Sequence, residues 1–156
     1  MKLLGIDVSS YQGKPDWKKV AKTVKVAILR VHQKNGIDSS FEHNYKGCVD
    51  NGIMVGVYKY SYAKTVAEAE KEADAVLTVL NKRHLDFPVF YDLEWDKQAA
   101  LGKTAITNIT KAFLNKSQRL DTKPVFTAIQ IGTRIFLIQR LLIMIIGLHH
   151  IRTRTM

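Results

Sequence analysis

FPVFYDLEWD, Phe87 to Asp96, is the stretch on which the reading of this chain turns. Val89, Phe90 and Tyr91 are residues of a buried strand, with Pro88 before them and charges after them. Strand side chains alternate faces, so Tyr91 and Leu93 point one way while Asp92 and Glu94 point the other. Two carboxylates on one face repel each other, and burial penalises both. Such a pair belongs either on a wet face, as surface decoration, or in a site that uses it.

Outward from this stretch, the chain alternates strand and helix. Leu3 to Val8 is an apolar run, and Asp16 caps a short helix through Lys22. Val26 to Val31 reads as a strand and Phe41 to Asn51 as a helix ended by Gly52. Met54 to Tyr60 is a third strand, Val66 to Asn81 a helix, Pro88 to Glu94 the fourth strand, and Thr104 to about Lys116 a fourth helix. Strands in βα order imply a parallel sheet with right-handed crossovers. Polar residues gather at the strands' C-terminal ends: Asp7, Arg30 and His32, Tyr58 and Tyr60, Asp92 and Glu94. That end carries the site in open α/β sheets and in barrels. No GxGxxG follows the first strand, which excludes a Rossmann fingerprint. The predicted class is α/β, an irregular TIM-like βα barrel, incomplete, with only the first four βα units legible.

The 156 residues suit one domain with a sizeable core. The formal charge of +10 points to an anionic partner. Nucleic acid is disfavoured, because the lysines are scattered and no Lys/Arg run with interleaved aromatics appears. Bacterial cell wall is anionic too. The lone cysteine, Cys48, excludes an internal disulfide and reads as a packed helix residue. MKLLGIDVSS has too short an apolar run for a signal peptide, so action on a wall would need another route out, such as phage release; otherwise the protein is cytoplasmic.

Composition breaks near residue 118. Up to Gln118 there are 16 Lys, 2 Arg and 13 acids; from Arg119 there are 1 Lys, 5 Arg and one acid, Asp121. Arg134 and Arg140 interrupt the Ile-rich tail, so no stable membrane span is expected. Read two bases later, permitted codons for Gly132 to Phe136 can encode Trp-Tyr-Lys-Asn-Ile, and the whole tail can regain balanced charge and strand-like segments. We therefore divide the chain into residues 1–118, the first part of a catalytic barrel, and 119–156, an Ile/Arg-rich tail read as out of frame.

The carboxylate pair suits glycoside hydrolysis, in which one carboxylic acid protonates the leaving oxygen and the other assists at the sugar carbon. Each carboxylate raises the pKa of the other, which keeps an acid protonated near neutrality. Two residues of rise separate the Cβ atoms by roughly 6–7 Å, between the retaining and inverting spacings. No further acid cluster and no His motif has metal-ligand spacing, so neither a metal nor a cofactor is expected. His149-His150 lies in the tail, and His32 and His43 stand apart. No G-x-S-x-G supports a serine nucleophile.

Four motifs in order are more specific than the pair: GIDVSSYQGKPDW (Gly5 to Trp17), ILRVHQKNGIDSSFEHNYKG (Ile28 to Gly47), GIMVGVYKYSYA (Gly52 to Ala63) and PVFYDLEW (Pro88 to Trp95). This set resembles the family 25 glycoside hydrolases, the Chalaropsis-type lysozymes of bacteria and phages, over about residues 3–118. The resemblance implies an N-acetylmuramidase acting on peptidoglycan, at the β-1,4 bond between N-acetylmuramic acid and N-acetylglucosamine. By position it implies Glu94 as general acid, Asp92 as its helper and Asp7 in the groove. Tyr58 and Tyr60 fall where sugar-contacting aromatics are expected. Arg30 either binds a lactyl or peptide carboxylate or forms a structural ion pair. Trp17 and Trp95 read as core or rim. The shifted-frame tail also resembles the family's later segments, which the chain as written lacks; that departure bears on whether this product is active. Two alternatives stay open: a non-catalytic wall-binding remnant, and a chitinase-like hydrolase, against which Phe90 and Tyr91 stand where such enzymes carry an acid ladder.

Overall fold

Parallel strands cannot be joined by tight turns, so each crossover must carry a helix or a long loop across the sheet. The computed structural model of the chain, which describes residues 3–117, follows this rule. Its elements are β1 (Leu4–Val8), α1 (Trp17–Val20), β2 (Val24–Gln33), β3 (Gly36–Ile37), α2 (Phe41–Asp50), β4 (Met54–Tyr60), α3 (Val66–Leu80), β5 (Val89–Asp92), α4 (Asp96–Ala99) and α5 (Gly102–Ser117), with a 3-10 turn at Ser10–Gln12. β1, β2, β4 and β5 pair in that order, all parallel, and the two-residue β3 folds back antiparallel on β2. The fold is thus mixed α/β on a parallel sheet. Among the described residues the sheet is open, with β1 and β5 at its edges, so these strands alone do not close the expected barrel. The tail from residue 119, with its candidate strands, Asp121 and His149-His150, lies outside the described residues.

Both faces of the sheet are buried, as a parallel sheet requires. Val8, Ala27, Leu29, Val31, Val55, Val57, Val89 and Tyr91 pack with Phe41, Cys48, Ala69, Ala73, Val76, Ile109 and Phe113 of the helices. On the other face Val26, Ile28, Phe87 and Phe90 form a smaller cluster, against which Met54 and Tyr58 lean. The alternation is visible in β2, where Val26 and Ile28 serve one cluster and Ala27 and Leu29 the other. Tyr91 and Phe113 stack at 3.8 Å between centroids and fasten α5 to β5.

The helix ends explain why the chain turns where it does. Asp16 caps α1 by accepting from the Lys19 N–H at 3.2 Å. Thr65 and Glu68 form a reciprocal capping box at the start of α3. Gly52, at φ +66°, carries the chain out of α2 into β4. Gly47 serves a different purpose: a Cβ there would overlap the ring of Trp17, whose Nε1 donates to Asn44 Oδ1 at 3.2 Å. Cys48 beside it is fully buried and free, and burial pushes its thiol up to about 12.

Four elements differ from expectation. β2 is longer than Val26 to Val31, β3 and α4 were not anticipated, and β5 ends at Asp92 rather than Glu94. Glu94 therefore sits in the turn between β5 and α4, and strand alternation does not fix its direction.

Candidate active site

The C-terminal edge of the sheet collects what the sequence placed there. Asp7 stands near the end of β1, Tyr58 and Tyr60 near the end of β4, and Asp92 closes β5 opposite Tyr60. Glu94 follows two residues later. Asp92 feels the charges of Glu94 and Asp7, and Glu94 feels that of Asp7, so the three carboxylates lie within electrostatic reach.

Their environments differ. Asp92 is 9% exposed, and its carboxyl is raised to about 7, first by burial and then by the charges of Glu94 and Asp7. Glu94 is open to solvent on one side, yet the surrounding walls displace enough water, with Asp7 adding its charge, to raise it as well. Asp7 is likewise reachable from solvent while raised by desolvation, against which a backbone hydrogen bond works. A buried carboxyl holding its proton near neutrality therefore lies beside an accessible one.

Tyr58 lies among Asp7, Asp92 and Arg30, and burial, the largest effect, drives its hydroxyl far up. Tyr60 begins an aromatic run that the sequence reading captured only in part. Its ring lies 5.0 Å from that of Tyr62, and Tyr62 meets Trp95 edge-on at 5.4 Å. Tyr62 was missed, although its signal was present as the third tyrosine at alternate positions in YKYSY. Trp95, read as core or rim, is half-buried and belongs to this run. Lysines surround it: Lys34 and Lys59 stand 5.8 and 5.4 Å from the Tyr62 ring centre, and Lys64 and Lys97 stand 5.3 and 5.5 Å from that of Trp95.

Arg30 forms an ion pair, one of the two roles considered for it. It is buried, its Nε and Nη2 each 2.7 Å from Asp38 Oδ2, and its Nη2 donates to Ser10 Oγ at 2.8 Å. Asp38 in turn accepts from the Ser10 and Ser40 N–H groups at 3.1 and 2.9 Å. The guanidinium thus ties β2 to the turn after β1, where Tyr11 lies over it at 4.8 Å and remains 85% exposed. His32 pairs with Lys59 across the β2–β4 ladder and is held by its own neighbour, Nδ1 to Gln33 O at 2.7 Å. Among the described residues no group of three or more His, Cys, Asp and Glu is arranged to hold a metal ion.

A family model described as glycosyl hydrolases family 25 matches residues 6–130. The chain belongs to glycosyl hydrolase family 25. The family match continues past the composition break at residue 119. The YegX protein of Escherichia coli O157:H7 is 31% identical over 97 residues, 58% of this chain and 35% of its own length. The chain thus spans about a third of the curated relatives it matches. Among solved structures, the modular autolysin LytC of Streptococcus pneumoniae, also determined with a synthetic peptidoglycan ligand, is 26% identical with a TM-score of 0.68, covering 80% of this chain and 32% of that one. A family 25 glycosyl hydrolase of Bacillus anthracis reaches a TM-score of 0.70 at 22% identity, covering 82% and 60%. The catalytic domain of endolysin ply40 from bacteriophage P40 of Listeria monocytogenes gives 0.69 at 20%, covering 85% and 64%. These last two likenesses bear on the family 25 fold.

Proposed function

We propose that this family 25 chain is a peptidoglycan hydrolase of the lysozyme type, cleaving the β-1,4 bond between N-acetylmuramic acid and N-acetylglucosamine. The observation that carries the reading is the placing of Asp92 beside Glu94: one carboxyl buried and raised to about 7, the other open to solvent. Accessibility assigns the roles. Glu94 can reach a glycosidic oxygen and donates the proton; Asp92 assists beside it, orienting the N-acetyl group or, in its ionised form, stabilising positive charge at the sugar carbon. A bound glycan displaces water from Glu94 and raises its pKa further, favouring the donating form. Asp7 completes the acidic floor. Tyr58, Tyr60, Tyr62 and Trp95 offer ring surface to sugars, and the exposed lysines Lys34, Lys64 and Lys97 suit an anionic wall polymer. The sheet described here forms part of a βα barrel that further strands complete.

Support also comes from the autolysin neighbour, crystallised with a synthetic peptidoglycan ligand. The protein would act at the bacterial wall; among the described residues no helix is long and apolar enough to cross a membrane. The test is release of reducing muropeptides from purified peptidoglycan by the full chain. Glu94→Gln is expected to lower turnover by about 10²–10⁴-fold. Wall binding without product release from the unmodified chain would replace this reading with that of a wall-binding remnant.

A further inference from the structure

Behind the acidic edge, on the helix side of the sheet, lies a buried polar cluster that the proposed chemistry does not use. Its centre is Glu72 of α3. Glu72 Oε1 accepts from the Tyr62 N–H at 2.8 Å and faces Lys59 Nζ at 3.3 Å, while Oε2 accepts from Tyr91 Oη at 2.7 Å. Ser61 Oγ lies 2.9 Å from Tyr91 Oη and 3.0 Å from Glu72 Oε2, and it accepts from Gln98 Nε2 at 3.0 Å. Gln98 Nε2 also donates to the carbonyl of Ala63 at 2.8 Å. Lys59, 1% exposed, closes the cluster by donating to the Tyr60 carbonyl at 2.7 Å.

The direction of these bonds is informative. Donors run from the Gln98 amide to the Ser61 hydroxyl, to the Tyr91 hydroxyl and to the Glu72 carboxylate, and each strengthens the next. Every end of the chain of bonds touches a segment that carries the proposed site. Tyr91 precedes Asp92, and Gln98 lies in α4, directly beyond the turn that holds Glu94. The Ser61 N–H donates to the Asp92 carbonyl at 2.8 Å. Tyr62 is held by its own backbone. The turn from Asp92 to Asp96 has no strand alternation to fix it, so this cluster supplies its anchorage.

We infer that Glu72 is a positioning residue, acting through Tyr91, Ser61 and Gln98 to hold the Asp92–Glu94 turn and Tyr62 in one arrangement. The inference rests on the roles proposed above for Asp92 and Glu94. Glu72→Gln alone strands the Lys59 ammonium in the core, and the protein can fail to fold for that reason. Two further variants of the full chain avoid this. Tyr91→Phe removes one hydroxyl while keeping the ring on Phe113. Lys59→Met with Glu72→Gln removes both charges together.

Two readouts are needed: kcat and KM on purified peptidoglycan, and amide hydrogen exchange of the segment 91–98 against α1 and α2. In both variants kcat is expected to fall roughly 10- to 100-fold, as displacement of reacting groups by about 1 Å does, with KM within twofold. Exchange should quicken in 91–98 and stay unchanged in α1 and α2. Wild-type kcat in properly folded variants overturns the inference. If the unmodified chain releases no product, the hydrolase reading fails, and exchange then decides the anchorage alone. Selective quickening upholds it, and no change, or quickening everywhere, overturns it.

Discussion

Asp92 is held where its charge is unwelcome, and this has a thermodynamic signature. Its folded pKa, about 7, lies above the ordinary aspartate value of 3.8, so the folded state binds the proton more tightly than the unfolded chain. The stability this contributes is full below about pH 4 and is lost as pH rises through 7. Asp92→Asn is therefore expected to match wild type at pH 4 and to gain stability at pH 8, by on the order of 4 kcal/mol, while losing hydrolysis. Urea unfolding at the two pH values measures the first effect and muropeptide release the second. Arg30 behaves oppositely, because its charge is matched by Asp38. Arg30→Ala leaves Asp38 buried without its partner and should cost about 3–5 kcal/mol, read from the urea midpoint at pH 7. The sequence showed Asp7, Asp92 and Glu94 as a group because carboxylates at strand ends are conspicuous in one dimension. It left Arg30 open between two roles because Asp38, eight residues away, meets it only through the β2–β3 hairpin.

At the scale of elements, signals long enough to repeat were readable and short ones were not. α3 shows its capping box, and its buried stripe of Ala69, Ala73, Val76 and Leu80 at helical spacing. Glu72 sits three residues after Ala69 and four before Val76, at the border of that stripe, and Lys59 interrupts an apolar strand; both hinted at the cluster behind the site. β3 has two residues and α4 four, too few for a period, and the N-cap of α4, Trp95, makes no side-chain cap bond. One helix carries an inverted rule. Ala ordinarily stabilises a helix interior over Gly by about 0.5–1 kcal/mol. At Gly47 a methyl group meets the Trp17 ring and one of them must move, so Gly47→Ala is expected to destabilise by about 1–3 kcal/mol. Thermal unfolding of this variant against wild type checks the sign.

For the whole molecule, the decisive feature is a sheet with both faces buried and two open edges among the described residues. Parallel order and crossovers followed from the βα alternation. Closure could not be read, because past residue 118 the pattern that would carry further strands gives way to isoleucine and arginine. The proposal that this tail is out of frame gives a direct comparison. A chain carrying the shifted-frame sequence in place of residues 119–156 is expected to release muropeptides at least tenfold faster than the chain as written, the order expected from restoring a groove wall that orients substrate. Equal rates would show that the tail as written meets the need.

Cys48 lends the molecule a use of its own. It is the one thiol in the chain, it is sealed between α2 and the sheet, and burial keeps it from ionising. A thiol reagent in the surrounding solution reacts only with molecules in which α2 has peeled away. The labelled fraction after a timed pulse is then a clock for that opening, running in the unmutated protein with no dye and no denaturant.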